Sequence, residues 1–290
     1  MLRKEPKSGV LYLVGTPIGN LEDLSPRARM ILQSVDRIAC EDTRHSGQML
    51  SHFGIKARLL SFHQRNQETR IPQLLEIMNN GETLALISDA GLPGISDPGE
   101  ELVAAAIMAG YQVTCIPGPC ALTTALITSG LPTRRFCFEG FLPSKAHPRR
   151  VRLKELSKES RTLIFYEAPH RLINLLEDLE LIMGDRPLQV ARELTKYHEE
   201  QIGTTVLEAL AHFRTIKPQG ECTIILGGAF SNILQYIPWD LNILIQAVND
   251  AKTRNNLSVS EVTRTVARYI KIPRRQLYTL YHCDIFNTLI

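Results

Sequence analysis

The sequence lacks the features that place a protein in a membrane or outside the cell. Its 290 residues include no uninterrupted run of 18 apolar residues, and no apolar core of signal-peptide length follows the basic start MLRKEPKSG. The first absence excludes an ordinary membrane-spanning helix, and the second argues against secretion. We therefore expect a cytoplasmic protein with no membrane partner.

Cysteine is scarce, and neither sign of charge is in large excess. The six cysteines form no C-x-x-C pair and no cluster with histidine at zinc-binding spacing, so we expect reduced thiols and no metal. The 33 lysine and arginine residues nearly balance the 30 aspartate and glutamate residues. A net charge of +3 identifies no partner, and only local charge clusters carry information.

Apolar, β-branched runs alternate with helical patterns in the first half of the chain. The runs are VLYLVG, RIACED, ARLLSFH, TLALISD and QVTCIPG, and helical patterns lie at 25–35, 45–53, 67–80, 99–109 and 120–129. This alternation is typical of parallel strands joined by helical crossovers. Gly81, Gly110 and Gly130 follow three of the helical patterns, where glycine commonly ends a helix. We predict an α/β domain at 1–133.

A second set of strand patterns follows the segment GLPTRRF. It comprises FCFEGF, TLIFYEA, LQVAREL and ECTIILGG, with a basic helix at about 148–158 and an amphipathic helix at 170–183. We predict a second α/β domain at 134–229, followed by a linker. Beyond it, Ser258 and Glu261 form a capping-box pattern, and Val262, Val266 and Ile270 share one helical face. These predict a helical, helix-turn-helix-like unit at 238–290.

Three predicted strands run directly into loops rich in glycine and proline: GTPIGN, SDAGLPGISDPG and IPGPCA. Ligands of open α/β sheets bind beyond the carboxyl ends of the strands, so these loops predict a ligand site. GTPIGN matches neither the phosphate loop nor the dinucleotide glycine motif, which disfavours a nucleoside triphosphate but not another nucleoside-like ligand. In SDAGLPGISDPG we expect Asp97 to cap the next helix and Asp89 to hold a ribose or an amine. The alternative is a plain connection of several turns.

Seven motifs together resemble a known family. They are VGTPIGNLEDLSPRA, EDTRHSGQML, SDAGLPGISDPGEELV, IPGPCALTTAL, FEGFLP, FYEAPHRL and ARELTKYHEE, in this order between residues 10 and about 228. The set resembles the bacterial 16S ribosomal RNA cytidine 2′-O-methyltransferases of the tetrapyrrole methylase superfamily. The resemblance implies two α/β domains of that type, a parallel five-stranded sheet followed by a mixed sheet, in a homodimer. It also implies methyl transfer from S-adenosylmethionine to the ribose of a decoding-region cytidine in 16S ribosomal RNA or the small ribosomal subunit.

The resemblance further implies where the methyl donor binds. The family's G-D-P loop corresponds to Ser88-Asp89-Ala90, and its next glycine-rich loop corresponds to IPGPCA. Pro17 would lie near the transferred methyl group, and Cys120 stands where serine is common in the superfamily. The donor-binding residues implied in this way are Pro17, Asp89, Ala90, Gly91, Leu92, Cys120 and Ala121.

Methyl transfer to a ribose needs no metal, but the hydroxyl needs a base that draws away its proton. Polar residues in the segments EDTRH and ARELTKYHE follow predicted strands and are candidates. Each has a structural alternative: Asp42 or Thr43 could cap a helix, and Glu41 and Arg44 could form an ion pair. The residues expected to handle the substrate are Glu41, Asp42, Arg44, Glu193 and Lys196, and the sequence does not single out the base.

Two basic stretches predict contact with nucleic-acid phosphates. Residues 145–161 hold seven lysine and arginine residues against two glutamates, and residues 251–275 hold seven against Glu261 alone. For either stretch alone, a solvated helix face is the alternative. The expected RNA-binding residues are Lys145, Arg149, Arg150, Arg274 and Arg275.

Two other classes of function fit parts of the sequence. A methyltransferase acting on a tetrapyrrole or a diphthamide precursor would not need the basic tail. A DNA-binding regulator would use the helix-turn-helix-like unit and keep the α/β part as a ligand sensor. The pair of loops GTPIGN and SDAGLPGISDPG favours the ribosomal RNA branch of the superfamily over the tetrapyrrole branch.

Overall fold

The computed structural model describes residues 6–229 together with Arg264. The predicted helical unit at 238–290 and the predicted RNA-binding residues Arg274 and Arg275 therefore lie outside the described residues. Within the described part of the chain, no helix is both long and apolar enough to cross a membrane. The cytoplasmic location stays a prediction.

The first half of the chain forms a five-stranded sheet in which every pair of neighbouring strands is parallel, as predicted. The strands are β1 (Val10–Val14), β2 (Arg37–Cys40), β3 (Arg58–Ser61), β4 (Leu84–Leu86) and β5 (Gln112–Ile116). The helices are α1 (Pro26–Ser34), α2 (Thr43–His52), α3 (Gln67–Asn79), α4 (Glu100–Met108) and α5 (Ala121–Thr128). The order β3-β2-β4-β1-β5 reverses direction around β1 and β4, which is where open sheets bind ligands.

Strand β1 shows why this sheet is covered on both faces. Tyr12 packs in one apolar cluster with Ile31 of α1, whereas Leu11 packs in another with Leu74 of α3 and Leu102 of α4. Successive side chains of a strand point to opposite faces, so a continuously apolar strand must be covered on both. Each of these leucine and isoleucine side chains contributes roughly 1.5–3 kcal/mol by its burial.

The glycines predicted to end helices are confirmed, and the helix predicted from residue 25 begins with a serine cap. The Ser25 hydroxyl accepts a hydrogen bond of 3.1 Å from the backbone N–H of Ala28, and Pro26 is the first residue of α1. Gly81, Gly110 and Gly130 follow α3, α4 and α5 with positive φ angles of 85°, 82° and 69°. A side chain is strained in this conformation, so glycine at these positions stops the helices.

The start of α4 differs from the prediction. The residue before this helix is Gly99, and it makes no side-chain capping bond, so the prediction that Asp97 caps the helix is wrong. Gly99 has a φ of 153°, and a Cβ atom there would lie 3.1 Å from the backbone nitrogen of Gly94. The loop thus folds back on itself between Asp97 and the helix, and Asp97 does not occupy the N-cap position.

The second half of the chain forms a mixed sheet of order β6-β7-β10-β8-β9. Its strands are β6 (Phe136–Phe141), β7 (Thr162–Glu167), β8 (Leu188–Arg192), β9 (Glu200–Ile202) and β10 (Cys222–Leu226), and its helices are α6 (Ala146–Leu156), α7 (Pro169–Met183) and α8 (Val206–Thr215). Strands β6 and β7 are parallel, and the other neighbouring pairs are antiparallel. The sheets lie on either side of residue 133, while the domain limits 1–133 and 134–229 stay predictions.

Candidate active site

A cavity of about 300 Å³ lies where the loops of the first half meet the second sheet. The first half lines it with residues of the segments that follow β1, β4 and β5, and the second half with residues at the ends of β6, β7, β8 and β10. The loops GTPIGN, SDAGLPGISDPG and IPGPCA therefore reach one place, as their positions after parallel strands predict.

Backbone contacts hold the loops after β1 and β4 together. Thr16 and Gly91 form an antiparallel bridge, with Thr16 N to Gly91 O at 2.8 Å and Gly91 N to Thr16 O at 3.2 Å. The Thr16 hydroxyl also donates to the carbonyl of Ser88 at 3.2 Å. Thr16 is completely buried, so its polar groups need these partners. The cavity wall formed by these loops is thereby fixed by hydrogen bonds.

The two glycines of GTPIGN allow close approaches that a larger residue would prevent. A Cβ atom on Gly15 would lie 2.7 Å from the Cα atom of Gly118, in the loop after β5. A Cβ atom on Gly19 would lie 2.5 Å from Cγ of Lys196 and 3.0 Å from the carbonyl oxygen of Leu194. The loop after β1 therefore packs against β5's loop on one side and against the second half of the chain on the other.

Asp97 gives one wall of the cavity an unbalanced negative charge. Burial, followed by the charge of Glu41, raises the pKa of Asp97 to about 6. The charged groups that act on this carboxyl are Glu41, Asp89 and Glu221, all of them acidic. A carboxylate in such surroundings favours a cationic ligand, which would relieve the repulsion.

Glu167 lies at the end of β7, is among the residues that line the cavity and is 2% exposed as a whole residue. Its Oε1 atom accepts a hydrogen bond of 2.9 Å from the Ala168 N–H and lies 2.9 Å from Nε of Arg171. Its Oε2 atom is buried and has no hydrogen-bond partner among residues 6–229. Burial raises the pKa of this group, while Ala168 and Arg171 act in the opposite direction.

Tyr166 joins the two halves of the chain beside the cavity. Its hydroxyl oxygen accepts a hydrogen bond of 3.1 Å from the Leu122 N–H in the first turn of α5. Its ring packs edge-on against Phe138 at 5.0 Å and lies 5.7 Å from the ring of Phe141. Burial raises the pKa of this phenol, so it stays protonated at neutral pH. The tyrosine therefore serves as a fixed, uncharged part of the wall.

Five of the seven residues predicted to bind the methyl donor line this cavity. These are Ala90, Gly91, Leu92, Cys120 and Ala121. Pro17 is buried and does not line the cavity, although the next residue in the chain, Ile18, does. Asp89 accepts a hydrogen bond of 3.2 Å from the backbone N–H of Asp42, so it links the loop after β4 to the loop after β2.

The predicted substrate-handling residues lie around the cavity, and none of the five lines it. Asp42 caps α2 by accepting a hydrogen bond of 2.8 Å from the Arg44 N–H, which is the structural alternative named above. Arg44 pairs with Asp42 at 3.0 Å, whereas the alternative had paired it with Glu41. The bonds from Arg44 lower the pKa of Asp42 to about 2, which makes this carboxylate a weak base.

Glu193 and Lys196 form an ion-pair network at the edge of the cavity. The Lys196 ammonium lies 2.9 Å from Glu193 and 3.1 Å from Glu221, and only Glu221 lines the cavity. Glu193 also accepts a hydrogen bond of 3.0 Å from the Glu221 N–H. Glu193 and Lys196 thus hold Glu221, which lines the cavity, in place.

Arg149 does not fit its predicted role in RNA binding. It is 4% exposed, and its guanidinium lies 2.7 Å from Asp178 of α7, so it cannot reach a phosphate and the prediction is wrong. The reason is helical spacing, because Arg149 shares the buried face of α6 with Leu153 and Leu156. Arg150 also pairs with Asp178, at 2.6 Å, but its side chain is 51% exposed.

Three residues that line the cavity were not among the predicted site residues, and Asp97 was predicted only as a cap. The three are Tyr166, Glu167 and Glu221. Tyr166 and Glu167 are the last two residues of β7, and Glu221 precedes β10. A usable signal was present, since the motif FYEAPH places polar groups at the end of an apolar strand. The antiparallel pairing that brings Glu221 to the same edge is not visible in the sequence.

Comparisons with known proteins agree with this architecture. The family model described as tetrapyrrole (corrin/porphyrin) methylases matches residues 10–211. A protein of Synechocystis sp. named ribosomal RNA small subunit methyltransferase I is 48% identical over 274 residues, covering 94% of this chain and 97% of that protein. The protein of the same name from Halalkalibacterium halodurans is 44% identical, covering 94% and 95%. The one from Thermotoga maritima is 48% identical over 220 residues, covering 76% and 99%.

Solved structures of similar architecture are more distant in sequence. Cobalt precorrin-4 methyltransferase, a cobalamin biosynthetic enzyme, has a TM-score of 0.57 at 18% identity, covering 78% of this chain and 98% of that one. Diphthine synthase has a TM-score of 0.58 at 15% identity, covering 75% and 89%. At these identities the likeness establishes the fold alone. The match to the family model over residues 10–211 shows that the chain belongs to the tetrapyrrole methylase family.

Proposed function

We propose that this protein transfers a methyl group from S-adenosylmethionine to the ribose 2′-hydroxyl of a decoding-region cytidine in 16S ribosomal RNA. The observation that carries the proposal is the group of relatives named ribosomal RNA small subunit methyltransferase I, which are 44–48% identical over 94% of this chain. Membership of the methylase family makes S-adenosylmethionine the methyl donor. The choice of a cytidine ribose comes from the seven sequence motifs.

The cavity suits this donor in size and charge. Its volume of about 300 Å³ is at the lower end of the range for sites that enclose a small molecule. S-adenosylmethionine supplies an activated methyl group on a positively charged sulfur, and it also carries an ammonium. The unbalanced carboxylate of Asp97 would attract these charges, while Ile18, Leu92 and Ala121 provide apolar contacts. The protein's task in such an in-line displacement is placement and the exclusion of water.

Among the residues predicted to handle the substrate, Glu41 is the candidate base. Burial and the charge of Asp89 raise its pKa, which brings a carboxylate closer to the pKa that favours proton abstraction near neutral pH. Its charge also acts on Asp97, which lines the cavity. Asp42 is the weaker base because Arg44 lowers its pKa, and Glu193 is held by Lys196. Arg44 has an 87% exposed side chain that can contact an incoming phosphate.

The basic segment around α6 is expected to bind RNA through its lysines. Lys145, Lys154 and Lys158 are exposed, and none of them forms an ion pair with another residue of the described chain. Replacing all three by alanine should lower the slope of log affinity against log salt by about 2, since each phosphate contact contributes roughly 0.7–0.9. The measurement is a salt titration of binding to the small-subunit RNA.

The matched control for the lysines is Lys56→Ala, an exposed lysine between α2 and β3. It should leave the salt slope unchanged. A triple variant with the slope of the unmodified protein would show that this segment is a solvated helix face.

The test of the proposed function is methyl transfer from labelled S-adenosylmethionine to small ribosomal subunits that lack their own ribose methylation. Mass spectrometry of the digested RNA then identifies the modified nucleoside. Label on a cytidine ribose is the expected result. Label on another nucleoside would contradict the cytidine assignment, and binding of the donor without transfer to RNA would point to a tetrapyrrole or protein substrate.

A homodimer is also part of the proposal. Large apolar side chains are exposed on the helices that precede and follow the edge strand β5 in the chain: Ile107 and Met108 of α4, at 59% and 88%, and Ile127 of α5, at 72%. Exposed apolar groups of this size favour burial against another surface, and a second copy of the chain would supply one.

A further inference from the structure

Strand β6, at the edge of the second sheet, contains a β-bulge near the end that reaches the cavity. Phe138 lies opposite Ile164 of β7, but Gly140, two residues further on, lies opposite Phe165, which is only one residue further on. Glu139 is therefore an extra residue in the pairing of the two strands. An extra residue reverses the face to which the following side chains point, and bulges occur preferentially at sheet edges and beside active sites.

The bulge places Phe141 in the wall of the cavity. Phe138 and Phe141 are three residues apart, so in a regular strand their side chains would point to opposite faces of the sheet. With the extra residue, Phe141 lies opposite Tyr166 of β7. The rings of Phe138 and Phe141 then both lie beside the Tyr166 ring, at 5.0 Å and 5.7 Å. Phe141 consequently lines the cavity.

Contacts with two other elements hold the bulge in place. The carboxylate of Glu139 lies 2.8 Å from the guanidinium of Arg152 in α6, and the glutamate side chain is 14% exposed. Gly140 has a φ of 62°, and a Cβ atom there would lie 3.1 Å from the hydroxyl oxygen of Ser96 in the loop after β4. The direction of the Phe141 side chain is therefore set by contacts with both halves of the chain.

Phe141 stays exposed although it lines the cavity. It is 55% exposed, and the other large apolar lining residue with an exposed side chain is Ile95, at 38%. These two residues mark the entrance of the cavity from solvent. Of the described residues that line the cavity, two are aromatic, and the second, Tyr166, is held by the Leu122 N–H. An exposed ring that the fold directs to an entrance favours a ligand that arrives from solvent and covers the ring.

We propose that the exposed ring of Phe141 stacks on the base of the target nucleotide and so brings the ribose hydroxyl of that nucleotide to the cavity. The inference rests on the proposed function in taking RNA as the substrate. Proteins recognise unpaired RNA bases by stacking them on aromatic side chains, and a nucleotide taken out of its own stack loses its neighbours. The ring replaces one of them. Because every base has a stacking face, Phe141 sets the affinity for RNA and not the choice of cytidine.

The target base fits this ring better than the methyl donor does. The predicted donor-binding residues that line the cavity all belong to the segments after β4 and β5, whereas Phe141 comes from the second half of the chain. A cavity buries about 70–90% of a small ligand, so the donor fits the enclosed part and not the entrance. Lys145, four residues after Phe141, is exposed and can contact a phosphate of the same RNA.

The experiment measures kcat/KM for small ribosomal subunits and, separately, the Kd for S-adenosylmethionine by calorimetry. Phe141→Leu keeps an apolar side chain but removes the stacking face. Its kcat/KM should fall about 10- to 100-fold, while its Kd for the donor should stay that of the unmodified protein. Phe141→Tyr keeps a ring and should restore kcat/KM to within about 3-fold.

The matched control is Phe136→Leu, because Phe136 is on the same strand, is 39% exposed and does not line the cavity. It should leave kcat/KM and the donor Kd unchanged. Phe141→Gln is a second variant without a ring, and its polar side chain suits an exposed position. It should lose activity as Phe141→Leu does, so the test does not depend on the folding of one variant.

The outcomes separate this inference from the proposed function. If the unmodified protein methylates RNA and Phe141→Leu keeps the same kcat/KM, the role of Phe141 is overturned and the function stands. Equal losses in Phe141→Leu and Phe141→Tyr would also overturn it, because the ring would then act through packing alone. Weaker donor binding in Phe141→Leu would place the ring against the donor and overturn it too. An unmodified protein that methylates no RNA would overturn the proposed function itself.

Discussion

Replacing Asp97 by asparagine is expected to weaken the binding of S-adenosylmethionine about 100-fold, because two charges near 4 Å apart interact by several kcal/mol in a partly buried site. The same replacement is expected to stabilise the fold. Asp97 lies among Glu41, Asp89 and Glu221, and burial and these charges oppose its ionisation. A site that holds an unfavourable charge for the sake of a ligand shows this opposite response of affinity and stability.

The pH dependence gives the sign of the stability effect. The pKa of Asp97 is raised to about 6 from the ordinary 3.8, so between these values the folded protein holds the proton more tightly than the unfolded chain. The free energy of unfolding therefore falls as the pH rises through this window and stays lowered above it. Asp97→Asn removes the penalty. After allowance for solvent screening of this partly exposed group, the variant should gain about 2 kcal/mol at pH 8, or roughly 5 °C in Tm, and nothing below pH 4.

Two measurements check this prediction. Thermal unfolding at pH 8 and below pH 4 compares Asp97→Asn with the unmodified protein, and Asp23→Asn is the control because Asp23 is exposed and away from the cavity. Titration with S-adenosylmethionine between pH 5 and 7.5 should show affinity rising through about pH 6 in the unmodified protein and a flat profile in the variant. A destabilised Asp97→Asn, or one that binds the donor normally, would contradict the assignment.

The sequence predicted the first sheet well because its signals are local. The strands β1 to β5 are short apolar runs bounded by glycine or polar residues. Ser25 marks a helix start through its side-chain oxygen, and Gly81 and Gly110 mark helix ends through their backbone preference. In the second half, β9 is three residues long, Glu200–Ile202, and has no apolar alternation that would predict a strand. Helix α8 was not predicted either. Thr205 is nevertheless a recognisable capping residue, and its hydroxyl accepts a hydrogen bond of 3.3 Å from the Glu208 N–H.

The loops that form the cavity were predicted from the sequence, but the charge environments of its side chains were not. Five of the seven residues assigned to the methyl donor line the cavity, because a loop's position after a parallel strand fixes its place in space. Whether a side chain is buried, and whether its charge is paired, depends on partners far away in the sequence. Arg149 is buried and paired with Asp178, and Glu167 is paired with Arg171, whereas the charged groups that act on Asp97 are all acidic. No short segment of sequence shows these pairings.

The close contact between Gly15 and Gly118 also joins residues that are far apart in the sequence. The two residues are in different motifs, yet a Cβ atom on Gly15 would lie 2.7 Å from Cα and 2.8 Å from N of Gly118. Both clashes are with backbone atoms, which cannot rotate away as a flexible side chain could. Gly15→Ala is therefore expected to cost about 3 kcal/mol or more of unfolding free energy, at the upper end of overpacking effects.

The same substitution should also lower the rate of methyl transfer about 100-fold, because the loops after β1, β4 and β5 form one wall of the cavity. Pushing Gly15 away from Gly118 would disturb the Thr16–Gly91 bridge, and Gly91 lines the cavity. Displacements near 1 Å in a positioned site cost about 100-fold in rate. Denaturant unfolding and the methyl-transfer assay measure the two effects on one preparation.

The control for Gly15→Ala is a glycine with room for a methyl group. Gly47 lies within α2, and its added Cβ atom would meet only Cδ1 of Leu59, at 3.7 Å. Alanine favours the helix over glycine, so Gly47→Ala should stabilise the protein by about 0.5–1 kcal/mol and leave activity intact. Gly118→Ala should behave like Gly15→Ala, since its Cβ atom would lie 2.8 Å from Cα of Gly15. If Gly15→Ala instead matches Gly47→Ala, the two loops are not in contact, and the cavity does not have the wall described.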